Sequence, residues 1–421
     1  MKSPSAASGN IFSFLPLLLL PLCCCSHQEA PKPAPSVAVQ GTVTRPQPQA
    51  TQAPASSPCP PLEVHAGHDT RALAFSRDGQ WLASGGYDKT IIVWNALTGK
   101  LERKWDIDHP VLHVVFSPDG GHLASLNQKG KIEVWDFRKG TLLYAASGGV
   151  LTYSPDGKIW ATSGYRPLPK SERDQSGRTG NITIETHDAA TGKLLRTIET
   201  GGWAVISTFT ITPAGLVFAA GCAEGSEVCE GSAASWDLAS GKLVKSYPLG
   251  GTVFSSDGHW LANIDGSKLS VFDLSSGKEK ESFDLRDSRT QAFAAFSPDG
   301  RQVAWAQDVK IKPADPQYES TIDVRSVATG EEIKTLRGAW DGTVDRKDVR
   351  IVPNTSPSGF GPMAFSPDGK RLAAANYSFE AQRAITCNSA HTATTTWYRL
   401  IKIWDLTTSR ELLTLEDQTP Q

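Results

Sequence analysis

The sequence has little net charge and no hydrophobic run long enough to cross a membrane. The 42 lysines and arginines nearly balance the 44 aspartates and glutamates, which leaves a formal net charge of −2. This balance does not indicate a nucleic-acid partner or a bulk attraction to anionic membranes. The apolar segment at residues 11–22 contains Pro16 and Pro21 and is shorter than the roughly 20 residues of a membrane-spanning helix.

Catalytic signatures are also absent from the sequence. There is no Gly-x-Ser-x-Gly nucleophile elbow, no phosphate-binding glycine loop and no His-Glu-x-x-His pair. The 9 histidines are scattered, and His109 and His113 fit a surface pair better than a metal site assembled across distant residues. We therefore expect no catalytic residue, no metal and no cofactor, and we expect that the protein is not an enzyme.

The N-terminus is typical of a secretory signal, with Lys2 followed by the apolar run at 11–22. Three cysteines follow at once, and a leucine shortly before a cysteine resembles a bacterial lipoprotein signal. In such signals the cysteine is lipidated and becomes the new N-terminus. Cys25 fits this role best, and Cys24 and Cys23 are the alternatives. A cleaved signal without lipid is the competing interpretation.

The segment that follows is rich in proline, alanine, glutamine and serine. It has too few bulky apolar residues to form a core, so it predicts an extended, semi-rigid linker. The predicted organisation is a signal peptide over 1–25, a linker over 26–61 and one folded domain over 62–421. These features predict a membrane-anchored lipoprotein of the bacterial cell envelope, facing the periplasm or the exterior.

One short phrase recurs through the rest of the chain and predicts a tight turn between two β-strands. Its proline fixes φ, its aspartate caps the local backbone and its glycine accepts a positive φ. The first three aspartates are 41 and 37 residues apart. The seven copies are Phe75–Gly79, Phe116–Gly120, Tyr153–Gly157, the degenerate Ile211–Gly215, Phe254–Gly258, Phe296–Gly300 and Phe365–Gly369.

A second phrase closes each unit, as in Ile91–Asn95, Ile132–Asp136 and Ile401–Asp405, and a further turn and a fourth strand follow it. Four short strands, repeated seven times, predict an all-β, seven-bladed β-propeller of four-stranded antiparallel blades. On these turn phrases and Trp-Asp ends, residues 62–421 resemble the WD-repeat family.

In that family a buried network of His, Ser, Asp and Trp often locks a blade. Blade 1 matches this pattern with His68, Ser84, Asp88 and Trp94. A Ser-His-Asp set also invites a catalytic interpretation. The resemblance favours a structural tetrad, because the positions repeat the family's scaffold.

Five insertions interrupt the regular blades, and family topology implies that they share one face. Four separate the second and third strands of a blade, at 165–180, 222–231, 308–319 and 377–398, and the fifth, at 340–360, precedes blade 7. Insertions in repeat proteins often map to a binding face, although neutral loop growth is the alternative. The candidate partner-binding residues are Tyr165, Arg166, Arg173, Tyr318, Trp340, Tyr377, Phe379 and Trp397.

Four cysteines lie outside the lipidation motif. Cys222 and Cys229 bracket a short acidic loop, which predicts a local disulfide in an exported protein. Cys59 and Cys387 remain, and whether they pair is left open.

The resemblance implies an interaction scaffold that binds a protein or a polymer through the decorated face. Its only contact with a membrane would be the lipid anchor, and no nucleic acid is expected. The alternatives are a propeller enzyme of lyase or hydrolase type and a small-ligand sensor, each with a site at the central channel.

Overall fold

The computed structural model describes residues 70–167, 180–201, 203–223, 231–248, 250–265, 267–285, 293–310, 318–337, 350–351, 360–376, 379–387, 390–398 and 400–415. All of them lie in one compact unit, residues 58–421.

The described part of the chain contains 31 β-strands. Blades 1 to 3 are β1 Thr70–Phe75, β2 Trp81–Gly86, β3 Thr90–Asn95, β4 Leu101–Asp106; β5 Val111–Phe116, β6 His122–Asn127, β7 Lys131–Asp136, β8 Thr141–Ser147; β9 Leu151–Tyr153, β10 Ile159–Pro167, β11 Gly180–Asp188 and β12 Leu194–Glu199. Blades 4 and 5 are β13 Trp203–Ile211, β14 Leu216–Ala223, β15 Gly231–Asp237, β16 Leu243–Tyr247; β17 Val253–Phe254, β18 Trp260–Asp265, β19 Lys268–Asp273 and β20 Lys278–Asp284. The remaining strands are β21 Ala294–Phe296, β22 Gln302–Lys310, β23 Tyr318–Ser326, β24 Glu332–Arg337, β25 Arg350–Ile351, β26 Phe360–Phe365, β27 Arg371–Asn376, β28 Phe379–Cys387, β29 Ala390–Tyr398, β30 Ile401–Asp405 and β31 Arg410–Leu415.

These strands form seven four-stranded antiparallel sheets, as the sequence predicted. Six sheets use four consecutive strands, and blade 7 uses β26, β27, β30 and β31. The first strand of each blade contacts the first strand of the next, and β26 contacts β1, so the first strands form a closed inner ring. The predicted seven-bladed propeller is therefore confirmed, including blade 4 with its degenerate turn.

The recurring phrase folds as a capped turn between the first two strands of each blade. In blade 1 the Ser76 hydroxyl donates to Asp78 Oδ1 at 2.5 Å and accepts the Trp81 backbone N–H at 3.0 Å. Asp78 Oδ1 also accepts the Gln80 N–H at 3.0 Å. Gly79 has a φ of 66°, which a residue with a Cβ adopts only at a cost. The phrase recurs because every blade needs this turn.

The core consists of seven hydrophobic clusters, one at each junction between neighbouring blades. Alternate residues of a strand face opposite neighbours. In blade 1, Ala83, Ile91 and Val93 pack toward blade 2, whereas Leu82 and Ile92 pack toward blade 7. Stability is therefore distributed around the ring rather than held in one centre.

Side-chain packing closes the ring between blades 7 and 1. The cluster at this junction includes Trp94 of blade 1 and Ile403 of blade 7, which are 2% and 0% exposed. The Arg371 guanidinium adds hydrogen bonds to the backbone carbonyls of Gly79 at 2.7 Å and Ala96 at 3.2 Å. Each of the seven described sheets is built from the strands of its own blade, so no strand exchange contributes to closure within the described residues.

Fourth strands carry a second connection between blades. The turn between the third and fourth strands of a blade contains a glycine. The side chain four residues after this glycine donates a hydrogen bond to a backbone carbonyl in the same turn of the next blade. In the part of the chain that the structure describes, blades 1 to 4 form such bonds: Arg103 Nη2 to Arg138 O at 2.8 Å, Tyr144 Oη to Ala189 O at 2.7 Å, Arg196 Nη1 to Ser240 O at 3.4 Å and Lys245 Nζ to Ser275 O at 2.6 Å. Desolvation raises the pKa of Tyr144 to about 12, so its hydroxyl remains a donor.

Candidate functional site

Each antiparallel blade has two different ends. The turns between strands one and two and between strands three and four lie at one end, which we call the turn end. The connections between strands two and three and between successive blades lie at the other end, the loop end. β25, from the connection between blades 6 and 7, pairs with β28, from inside blade 7. This pairing places two of the five predicted insertions beside each other at the loop end.

The insertions extend the blades as β-structure to a degree that the sequence did not indicate. In blade 3, β10 and β11 pair without a break from Ile159–Asp188 to Pro167–Gly180. In blade 6, β22 and β23 pair out to Lys310–Tyr318. The insertion of blade 7 forms the hairpin of β28 and β29, which β25 extends to a three-stranded sheet. The loop end thus carries ordered strands that prolong the scaffold.

Tyr165 and Arg166 lie on the prolonged part of β10. Tyr165 is 54% exposed, and a Cβ on Gly180 would lie 2.3 Å from its ring, so any larger residue at position 180 would displace the tyrosine ring. Arg166 Nη2 lies 3.2 Å from Glu199 Oε2, and both side chains are about half exposed. Because the two residues are consecutive on a strand, their side chains face opposite neighbouring blades.

The other candidate partner-binding side chains lie outside the described residues. Arg173, Trp340 and Tyr377 are not described, and for Tyr318 in β23, Phe379 in β28 and Trp397 in β29 only the backbone is described. Their assignment to the binding surface stays a prediction.

The structure describes three members of the proposed tetrad. Trp94 Nε1 donates to Ser84 Oγ at 3.0 Å, and both side chains are buried. The Asp88 carboxylate accepts the Thr90 hydroxyl at 3.0 Å and its backbone N–H at 3.3 Å, which caps the connection to β3. His68 lies outside the described residues, so the complete tetrad stays a prediction.

Blade 2 departs from the pattern of blade 1. Trp135 takes the place of Trp94, and Ser125 takes the place of Ser84. The Trp135 indole nitrogen is nevertheless buried with no hydrogen-bond partner in the described part of the chain. The hydrogen bond between serine and tryptophan is thus specific to blade 1 of these two blades.

Cys222 lies near the end of β14 and is disulfide-bonded. Its partner cysteine is not among the described side chains. Cys229 and Cys59 lie outside the described residues, and for Cys387 in β28 only the backbone is described. The pairing of Cys222 with Cys229 therefore stays a prediction.

The inner ring is where a channel enzyme or a ligand sensor would place its polar groups. Among His, Asp, Glu, Lys and Arg, the first strands as described contribute Arg71 and His113. The His113 side chain reaches solvent, yet the surrounding protein lowers the pKa of its imidazole by desolvation. His109 lies before β5, so the two histidines do not form a strand pair. Across the described ranges, no group of three or more His, Cys, Asp and Glu residues is arranged to hold a metal ion.

Exposed aliphatic side chains on the outer strands escaped the sequence analysis. They occupy the second and third positions after the turn glycine in blades 2, 3 and 4, and each is at least 43% exposed. The signal is a pair of large aliphatic residues near the start of the fourth strand in these three blades. The six residues are Leu142, Leu143, Leu194, Leu195, Leu243 and Val244.

Within the described ranges there is no helix with the length and apolar character needed to span a bilayer. The predicted signal segment, with Cys23, Cys24 and Cys25, lies outside these ranges.

The fold defines the class of this protein as a seven-bladed β-propeller with four-stranded antiparallel blades. The family model WD40, described as "WD domain, G-beta repeat", matches residues 59–95, which include the first three strands of blade 1. This match supports the WD-repeat family.

Several curated relatives are similar to parts of the chain. Target of rapamycin complex subunit wat1 of Schizosaccharomyces pombe is 36% identical over 78 residues, which is 18% of this chain and 25% of the relative. Protein ROOT INITIATION DEFECTIVE 3 of Arabidopsis thaliana is 31% identical over 161 residues, 36% of this chain and 35% of the relative. Small ribosomal subunit protein RACK1 of Caenorhabditis elegans is 30% identical over 118 residues, 27% and 34%. The chain therefore spans about a third or less of the length of these relatives.

Proposed function

We propose that this protein is an interaction scaffold whose loop end binds a protein or polymer partner. The observation that carries the proposal is the pairing of β25 with β28, because it joins two insertions into one sheet at the loop end. A loop that has lengthened by neutral insertion has no reason to form backbone pairing with a second insertion. Ordered strands on a rigid ring present side chains at low entropic cost, which favours binding.

The chemistry of the loop end supports a macromolecular partner. Tyrosine, tryptophan and arginine dominate the energetics of many interfaces, and these types recur in the insertions. Tyr165 presents a half-exposed ring over Gly180, and Arg166, on the opposite side of the strand, forms an ion pair with the exposed Glu199. An exposed ion pair contributes little to stability, so Arg166 is available to exchange Glu199 for an acidic group of a partner.

The relatives' names agree with a role in assemblies. One is named a subunit of the target of rapamycin complex and another a small ribosomal subunit protein. We extend to this chain only the general role of binding another macromolecule.

The N-terminal residues support a tethered form of the scaffold. Lipidation at Cys25, or at Cys24 or Cys23, would anchor the chain in a bacterial envelope membrane, and the linker over 26–61 would separate the propeller from the bilayer. Metabolic labelling with a clickable fatty acid should mark the wild-type protein. Replacing the three cysteines with serine should abolish labelling and release the protein from membranes. Unchanged membrane retention of the triple variant would contradict the tether.

The binding role is tested by capture followed by titration with the purified partner. We expect Tyr165→Ala, and separately the replacement of residues 168–179 by Asn-Gly, to weaken binding at least about tenfold, as loss of an interface hot spot does. The matched control is Leu97→Ala at the turn end, since Leu97 is 61% exposed. All variants should melt like the wild type. Normal binding by both loop-end variants, together with loss of binding in Leu97→Ala, would place the interface at the turn end and contradict the proposal.

A further inference from the structure

The seven blades provide an internal comparison for every position of the repeat. At the third position of the turn phrase, five blades have proline and blade 5 has Ser256, whereas blade 1 has Arg77. In blade 2, Arg138 lies two residues after the end of the third strand. The other six blades have uncharged residues there, Leu97, Ala190, Ala239, Ser275, Ala328 and Thr407. Two repeat positions have thus each acquired one arginine.

Both arginines line the same cleft at the turn end, between blades 1 and 2. The cleft has a volume of about 300 Å³, and its other lining residues are Asp78, Pro118, Asp119 and Gly120. The turn itself does not require either arginine, because the other blades form it without one. Their convergence on one cleft therefore indicates a role other than folding.

Each guanidinium group has one contact that favours a defined position in the absence of a ligand. Arg77 reaches past the blade 2 turn, and its Nη1 donates to the Pro155 carbonyl of blade 3 at 3.1 Å. The Arg138 guanidinium lies over the Phe137 ring at 5.2 Å, and Phe137 is 2% exposed. Fixed guanidinium groups lose little entropy on binding, and their planar forks match a carboxylate.

The two aspartates of the cleft are occupied within their own turns. Asp78 and Asp119 each accept a serine hydroxyl and a backbone N–H through Oδ1. Burial alone would raise the pKa of Asp119, but these donors and the nearby His122 together lower it, so it is ionised at neutral pH. The two aspartates offset the charge of the two arginines, which disfavours a doubly charged phosphate more than a singly charged carboxylate.

We propose that this cleft binds one carboxylate group of a peptide, from an acidic side chain or a chain terminus, between Arg77 and Arg138. Because the cleft lies at the turn end, this binding site is separate from the loop-end interface. A partner that engaged both ends would gain affinity through two attachment points.

The test is a binding titration of the full chain by saturation-transfer NMR with four probes. Acetyl-Ala-Glu-Ala-amide offers a side-chain carboxylate, and acetyl-Ala-Ala-Ala offers a terminal one. Acetyl-Ala-Gln-Ala-amide is the comparison peptide, and inorganic phosphate, which has no carbon-bound protons to observe, is compared as a competitor that displaces the carboxylate peptide. We expect saturable binding of at least one carboxylate peptide, which identifies the source, and weaker binding of the glutamine peptide and of phosphate. Equal binding of the glutamine peptide, or tighter binding of phosphate, would overturn the proposal.

The repeat supplies variants that preserve the turn. Arg77→Pro and Arg77→Ser install residues found in the other blades, and Arg138→Ala installs the residue of blades 3, 4 and 6. Each should weaken carboxylate binding about tenfold or more, as loss of a charged hydrogen bond does, while the melting temperature is kept. Arg301→Ala, on the turn of blade 6, is the control and should bind normally. Undiminished binding in Arg138→Ala and in either folded Arg77 variant would refute the assignment.

Discussion

Removal of one turn hydroxyl tests how the repeated phrase stabilises the blades. Ser297 in blade 6 is 2% exposed. Its hydroxyl donates to Asp299 Oδ1 at 2.6 Å and accepts the Gln302 backbone N–H at 2.9 Å. Ser297→Ala removes both bonds at once. Ser297→Thr keeps the hydroxyl, and Thr212 already serves at this position in blade 4, where it accepts the Leu216 N–H at 3.2 Å.

The magnitude follows from the groups left without partners. A buried donor that loses its acceptor costs about 1–3 kcal/mol, and Asp299 keeps its bond from the Arg301 N–H at 3.1 Å, which limits the loss. For a domain of this size the cost corresponds to a decrease in Tm of about 1–4 °C. We expect this decrease for Ser297→Ala and a change near zero for Ser297→Thr, measured by calorimetry at pH 7.

The pH dependence of the same variant separates the charged hydrogen bond from simple packing. Burial would raise the pKa of Asp299, but the Ser297 hydroxyl and neighbouring donors lower it. The hydroxyl therefore stabilises the ionised carboxylate, and this part of its contribution is lost as the pH falls below about 4. The Tm difference between wild type and Ser297→Ala should narrow there. A constant difference at every pH, or a threonine variant as unstable as the alanine variant, would refute the reasoning.

Three further predictions concern the turns and the cysteines. Gly369→Ala should cost about 1–2 kcal/mol because its φ of 66° is left-handed, and Gly258→Ala should lower the Tm further, since its Cβ would also lie 2.3 Å from a threonine methyl carbon of blade 4; equal melting of the two variants would contradict this. The Thr191 hydroxyl lowers the pKa of Asp188, so it stabilises the ionised carboxylate, and this stabilisation is lost as the pH falls below about 4. The Tm difference between the wild type and Thr191→Ala should therefore narrow there, and an equal difference at a pH of about 7 and of about 3 would count against the capping role. Non-reducing peptide mapping should recover Cys222 linked to Cys229, and linkage to another cysteine would refute that pairing.

The fold was predictable because its signals are local and repeated. The glycine of each turn phrase has a positive φ, as at Gly79 and Gly215. Even the degenerate turn in blade 4 retains the Thr212 hydroxyl as an acceptor. Because the phrase recurs seven times, a copy remains recognisable when one residue differs, as in blade 4, where Ala214 stands in place of the aspartate.

The contacts between blades were not predictable, because they join residues that are distant in sequence. Nothing in the local pattern indicates that Arg371 reaches Gly79 of blade 1, or that Tyr144 bonds to Ala189. These contacts depend on the angle between neighbouring sheets, which the ring sets as a whole.

The loop-end insertions could be recognised in the sequence, but their strand structure could not, and their role in binding stays a prediction. The insertions were located correctly in the sequence, yet strand pairing continues through much of their length. The alternation of side chains along β10 also separates Tyr165 from Arg166, so one flat partner surface does not contact both. The cleft at Arg77 and Arg138 was missed, since each arginine is unusual only in comparison with its counterparts in the other blades.

Hydrogen exchange of the purified complex with its captured partner tests the central claim most directly. We predict slower exchange at the loop end, over residues 165–167 and 180–182 and in the hairpin at 379–387 and 390–398, relative to the free protein. Turn-end amides outside the Arg77 cleft should exchange unchanged. Protection confined to the turn end, with the loop end exchanging as in the free protein, would contradict the account.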